Sequence, residues 1–66
     1  MVMLDWEKLV GEAIAVRRDE RLSQRDLAAL ANVSHPTVAK FEKALTSIRA
    51  DSALAILVAL GLAEKG

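Results

Sequence analysis

The sequence predicts an all-α fold, a small bundle of four to five helices, on three observations. Ala and Leu dominate the 66 residues, and the aromatics are limited to Trp6 and Phe41, a composition that favours helix over sheet. Apolar residues recur three and four positions apart instead of alternating. Ser, Pro, Asn and Gly fall where those stretches begin and end.

The first helix is expected from about Asp5 to Glu20, with Trp6, Leu9, Val10, Ala13 and Val16 or Arg17 on one stripe. Ser23 reads as the N-cap of a second helix, and Asp26 three residues later completes a shortened capping box. That helix starts at Gln24, turns Leu27, Ala28 and Leu30 toward the core, and ends near Ala31. Asn32 tolerates the left-handed conformation and can turn the chain there. Ser34 is the next N-cap, and Pro36 lies in the first turn, where a missing N–H costs nothing. The third helix is expected from His35 to about Lys43, with Val38 and Phe41 inward. A loop follows from Ala44 to Arg49, then a helix from about Ala50 to Leu60, stopped by Gly61. The two short helices around Ala31–Ser34 fit a helix-turn-helix at about 23–43. They fit an ordinary helical bundle with a tight turn equally well.

The length suits one domain over residues 1–66. A chain this short buries only about 60% of the surface its unfolded form exposes, and small scaffolds compensate with disulfides, a metal or association. There is no Cys and His35 is the only His, so association is the expected remedy, with no metal and no cofactor. The longest apolar run, Ala53–Leu60, is far shorter than the roughly 20 residues of a membrane span. Without an export signal the expected location is the cytoplasm, on a bacterial or phage nucleoid. Net charge is zero, but seven bases and four acids lie between Arg17 and Arg49, leaving the middle at +3 and the ends at −3. That distribution alone does not decide for or against nucleic acid. Paired carboxylates, metal clusters and glycine-rich phosphate loops are all missing from the sequence, so no catalytic residue and no enzyme is expected.

The segment Leu22-Ser23-Gln24-Arg25-Asp26-Leu27-Ala28, followed by Asn32-Val33-Ser34-His35-Pro36-Thr37-Val38-Ala39-Lys40-Phe41-Glu42, resembles the Cro/cI-type (Xre-like) helix-turn-helix family. Leu57-Val58-Ala59-Leu60-Gly61-Leu62 is similar to that family's closing segment, so the resemblance spans about Val10 to Leu62. It departs at two glycines. Asn32 stands at the turn, and Ala44 stands two residues after Glu42, which implies a different path for the following loop.

The resemblance implies a lambda repressor-like fold that reads the DNA major groove. Gln24 would grip a phosphate at a helix N-terminus, where free N–H groups favour an anion. Ser34, His35, Pro36, Thr37 and Lys40 would lie on the outward face of the recognition helix, against base edges or flanking phosphates. Lys43, Thr46, Ser47 and Arg49 would meet phosphates after it. Arg17 and Glu42 would pair beneath that helix, because an unpaired inward carboxylate is costly.

The last helix is apolar nearly all round. Ala53, Ile56, Leu57 and Leu60 make one stripe, and Leu54, Ala55, Val58 and Leu62 a second. An all-round apolar helix is usually buried on both sides, and in this family the C-terminal helix commonly forms the twofold interface. The expected function is therefore a homodimeric repressor or controller on a palindromic double-stranded DNA operator. The apolar start, Met1 to Leu4, would support that interface or fray. The alternative is an antitoxin-like module that binds a toxin or other protein partner as well as DNA. A role in excision or recombination of a mobile element stays open.

Overall fold

A computed structural model describes residues 5–64, so Met1 to Leu4 lie outside the described residues. The described residues fold into four helices and no strands: α1 (Trp6–Asp19), α2 (Gln24–Ala31), α3 (His35–Glu42) and α4 (Ala50–Ala59). The helix boundaries agree with the sequence expectations to within about one residue.

Each of the first three helices starts on a short polar side chain. The Asp5 carboxylate accepts the Lys8 N–H at 3.0 Å. Ser23 Oγ accepts the Asp26 N–H at 3.0 Å, and Asp26 Oδ2 accepts the Ser23 N–H at 2.9 Å, a complete capping box. The backbone bond from Ser23, then its hydroxyl, holds the Asp26 carboxyl below its usual value of 3.8. Ser34 Oγ caps α3 through the Thr37 N–H at 3.2 Å, with Pro36 in the first turn. Arg49 precedes α4 without a side-chain cap.

All four helices end in one way. A residue of positive φ (Arg21 at 58°, Asn32 at 56°, Ala44 at 57°, Gly61 at 75°) is followed by an apolar residue. The N–H of that apolar residue reaches back five positions: Leu22 to the Arg17 carbonyl, Val33 to Ala28, Leu45 to Lys40, Leu62 to Leu57. This is the Schellman termination, which satisfies carbonyls the helix leaves open. Only one of the four positions is a glycine. Ala44, where the missing glycine led to the expectation of a different loop path, adopts the left-handed conformation a glycine would favour, with the strain carried on its Cβ.

The core runs through all four helices. Leu27, Val38, Phe41 and Ile56 are fully buried, surrounded by Val10, Ala13, Ala28, Ala31, Ala53, Leu57 and Leu60. Trp6 stacks edge-to-face on Phe41, with ring centroids 5.5 Å apart and planes at 86°, a favoured aromatic geometry. The α4 stripe of Ala53, Ile56, Leu57 and Leu60 faces this core, as the periodicity requires. Leu30 does not. It is 61% exposed and Ala31 is buried in its place, because Leu27, Ala28 and Ala31 centre the inward face of α2 and leave Leu30 about 100° away.

Candidate nucleic-acid interface

The helix α3 crosses the bundle with Val38 and Phe41 inward and His35, Pro36, Lys40 and the following Lys43 exposed. Its first turn is tied down locally: besides capping the helix, Ser34 Oγ lies 2.8 Å from Thr37 Oγ1. Short polar residues at the cap thus satisfy open N–H capacity at the start of α3 and fix its first turn by hydrogen bonds.

Beneath α3 lies a chain of polar contacts. Arg17 and Glu42 form a bidentate pair, with Nε to Oε2 at 2.5 Å and Nη2 to Oε1 at 3.0 Å, and both side chains are about 10% exposed. The third Arg17 bond, Nη1 to the Leu22 carbonyl at 2.8 Å, ties the end of α1 to the entrance of α2. One guanidinium thus joins α1 to α3 and to the turn that leads into α2. Such a pair is favourable when its remaining hydrogen-bonding capacity is used, and here Gln24 uses it. The Gln24 amide nitrogen donates to Glu42 Oε1 at 3.0 Å, and its oxygen lies 3.1 Å from His35 Nε2. The side chain of Gln24 is therefore directed under the α3 N-terminus, and its backbone N–H stands with that of Arg25 at the open start of α2.

A small polar cleft of about 190 Å³ opens between α3 and the start of α4, lined by Thr37, Lys40, Ser47, Ile48, Arg49 and Ser52. Two cations and three hydroxyls converge there, a set suited to an anionic oxygen. Four of these residues were candidates from the sequence. Ser52 was not, although its place three positions after Arg49 on one helical turn is the signal that finds it. Arg49 also contacts Asp51 at 3.1 Å, with both side chains largely exposed. Lys43 is exposed outside the cleft, and Thr46 faces the other side of the loop, against an apolar groove.

That groove, about 360 Å³, lies between the start of α1, the 45–50 loop and α4, where Trp6, Leu9, Leu45 and Leu57 line it. A second apolar groove of about 310 Å³ runs between the end of α2 and α4, lined by Leu30, Ala55 and Val58 among others. Leu54, 48% exposed, borders both. The second stripe of α4 is thus unevenly free: Leu54 is exposed and Val58 half-buried, while Ala55 and Leu62 already pack against the core.

No curated protein and no solved structure matches the chain. A helix-turn-helix family model matches residues 14–65, nearly four-fifths of the sequence, from within α1 to beyond the end of α4. The matched span holds the Ser23 capping box, the Asn32 turn, the outward face of α3 and the cleft beside it. The chain belongs to the helix-turn-helix family of Cro/cI (Xre-like) type, a family of DNA-binding regulators.

Proposed function

We propose that this protein is a sequence-specific transcriptional regulator that binds double-stranded DNA as a homodimer, with α3 in the major groove, and represses by occupying a palindromic operator. One observation carries the reading. The exposed face of α3 (His35 and Pro36 in its first turn, Lys40 in its last) adjoins a cleft that gathers Thr37, Lys40, Ser47, Arg49 and Ser52. Base-reading and phosphate-holding groups would then sit side by side.

In this reading Lys40 donates to guanine O6 or N7, and Pro36 presses on a thymine methyl. Ser47, Arg49 and Ser52 hold a phosphate next to the recognition helix, and Lys43 and Thr46 reach the backbone further along. The open N–H groups at the start of α2 take a phosphate on the other flank. Gln24 serves that flank through its backbone, since its side chain is engaged with Glu42 and His35. Arg17 and Glu42 set the angle of α3 and take no part in contact. Leu54 and Val58, together with Leu30, form the twofold interface, which presents two recognition helices about 34 Å apart, one turn of B-DNA.

The apolar grooves beside Leu54 also suit a protein partner such as a toxin, the reading in which the chain acts as an antitoxin-like module.

A binding titration on the DNA upstream of the coding region, run in a salt series, tests the main reading. Saturable binding of two protomers per site is expected, weakened about 5- to 150-fold by Lys40→Ala, the value of one good base contact. Equal, salt-erased binding to every duplex would sink base reading.

A further inference from the structure

We infer that His35 reads DNA as a hydrogen-bond acceptor, through Nδ1, and that the polar chain beneath α3 imposes this polarity. The inference rests on the DNA-binding reading above and deepens it to the chemistry of one base contact. Glu42, held by Arg17 in a bidentate pair, offers acceptors only. The Gln24 group 3.0 Å from Glu42 Oε1 must therefore be the amide nitrogen. The Gln24 group that remains for His35 is then the carbonyl oxygen, an acceptor, 3.1 Å from Nε2. A carbonyl oxygen requires Nε2 to carry the hydrogen, so a neutral His35 has its lone pair on Nδ1.

The direction of every bond along Arg17, Glu42, Gln24 and His35 follows from the first, because a guanidinium can only donate. His35 is exposed at the first position of α3, and among the described residues its ring is hydrogen-bonded through Nε2 and not through Nδ1. An acceptor there is matched by the exocyclic amino group of adenine (N6) or cytosine (N4) in the major groove, and mismatched by the N7 and O6 acceptors of guanine. His35 thus selects an amino-bearing base on the strand it faces, and Gln24 is the positioning residue that withholds the opposite tautomer.

The test uses the duplex that the wild-type chain selects from a random pool at pH 8. His35→Ala identifies the base pair it reads, as the position whose preference relaxes. At that pair two single-atom changes are compared with the wild-type protein: removal of the exocyclic amino group, and replacement of the purine N7 by carbon. Loss of about 5- to 100-fold on removing the amino group, with little effect of the N7 change and no effect of either on His35→Ala, is the expected result. With Gln24→Met, whose side chain cannot fix the tautomer, the amino group should matter several-fold less. Sensitivity to N7 instead of the amino group would overturn the inference, because His35 would then be donating. So would a His35→Ala protein that keeps the full wild-type preference at every position. A protein that selects no duplex overturns the DNA-binding reading itself, and is distinguished from the other results at the first step.

Discussion

Arg21 and Ala44 hold left-handed backbone on residues that carry a Cβ, at φ 58° and 57°. That conformation costs about 1–2 kcal/mol for an L-residue, and glycine removes most of it while adding freedom to the unfolded chain. Ala44→Gly should therefore raise stability by up to about 1 kcal/mol in a urea titration, visible as a few degrees in a melt. An unchanged or lower midpoint would mean that the Ala44 methyl, which packs at the edge of the core, contributes more than the strain costs. The opposite sign is expected at Arg17 and Glu42. Removing one partner leaves an uncompensated, largely buried charge, and Arg17→Ala should cost about 3 kcal/mol or more. A paired Arg17→Met, Glu42→Leu protein should lose clearly less than the two single changes summed, since neither charge is then stranded. That Arg17 pairs with Glu42 is what the family resemblance implied, and a carboxylate on the inward side of a helix gives the physical reason for the cost. The strain at Arg21 and Ala44 is not legible in the sequence, because neither residue type announces a positive φ. The direction of the Gln24 side chain was hidden for a similar reason: it is decided by Glu42, 18 residues away.

The helices vary in how openly the sequence declares them. Starts were legible at Ser23 and Ser34, which supply short oxygens to open N–H groups, whereas Asp5, read as the first residue of α1, proves to be its cap. Ends were legible at Asn32 and Gly61, whose chemistry favours the turn they make, and at α1 and α3 only through the residues that follow. Helical rotation explains the error at Leu30: a leucine near an apolar stripe is not on it, and α2 spends its inward face on Leu27, Ala28 and Ala31. Two predictions belong here. Gly11 sits in the middle of α1 with nothing within 4 Å of the place a Cβ would occupy. Gly11→Ala should stabilise by about 0.5–1 kcal/mol through helix propensity alone, read from the denaturation midpoint. At the start of α2 the Asp26 carboxyl lies below its ordinary value because Ser23 bonds its ionised form. Its folded value is depressed, so its contribution is present above the unfolded value, near 3.8, and is lost as pH falls through the lower folded one. A stability profile from pH 7 to 2 should therefore drop in the acid range, and Asp26→Asn should flatten that drop while lowering stability at pH 7.

At the scale of the whole molecule the question is what covers Leu54. A chain of 66 residues has a small core, yet this one leaves Leu30 at 61%, Leu54 at 48% and Leu45 at 43% exposure. Burying one leucine contributes about 1.5–3 kcal/mol, so a surface that puts Leu54 of each protomer into the groove beside Leu30 and Val58 of the other would gain at four or more side chains. Because the contact is twofold, one substitution acts twice. Leu54→Lys brings two cations near the axis and should separate the protomers without touching the core, since Leu54 lies outside it. Sedimentation at micromolar concentration is expected to show a dimer for wild type and a monomer for Leu54→Lys, with helical content unchanged. The operator titration should change in step. The monomer must bind each half-site independently, so affinity falls by the effective concentration the dimer supplied, about 100-fold or more, while the preferred base at each position stays the same. Loss of affinity with preserved preference would assign α3 to reading and α4 to assembly. A wild-type chain that sediments as a monomer and still binds the operator tightly would refute the twofold interface, and the groove beside Leu54 would then belong to a different protein.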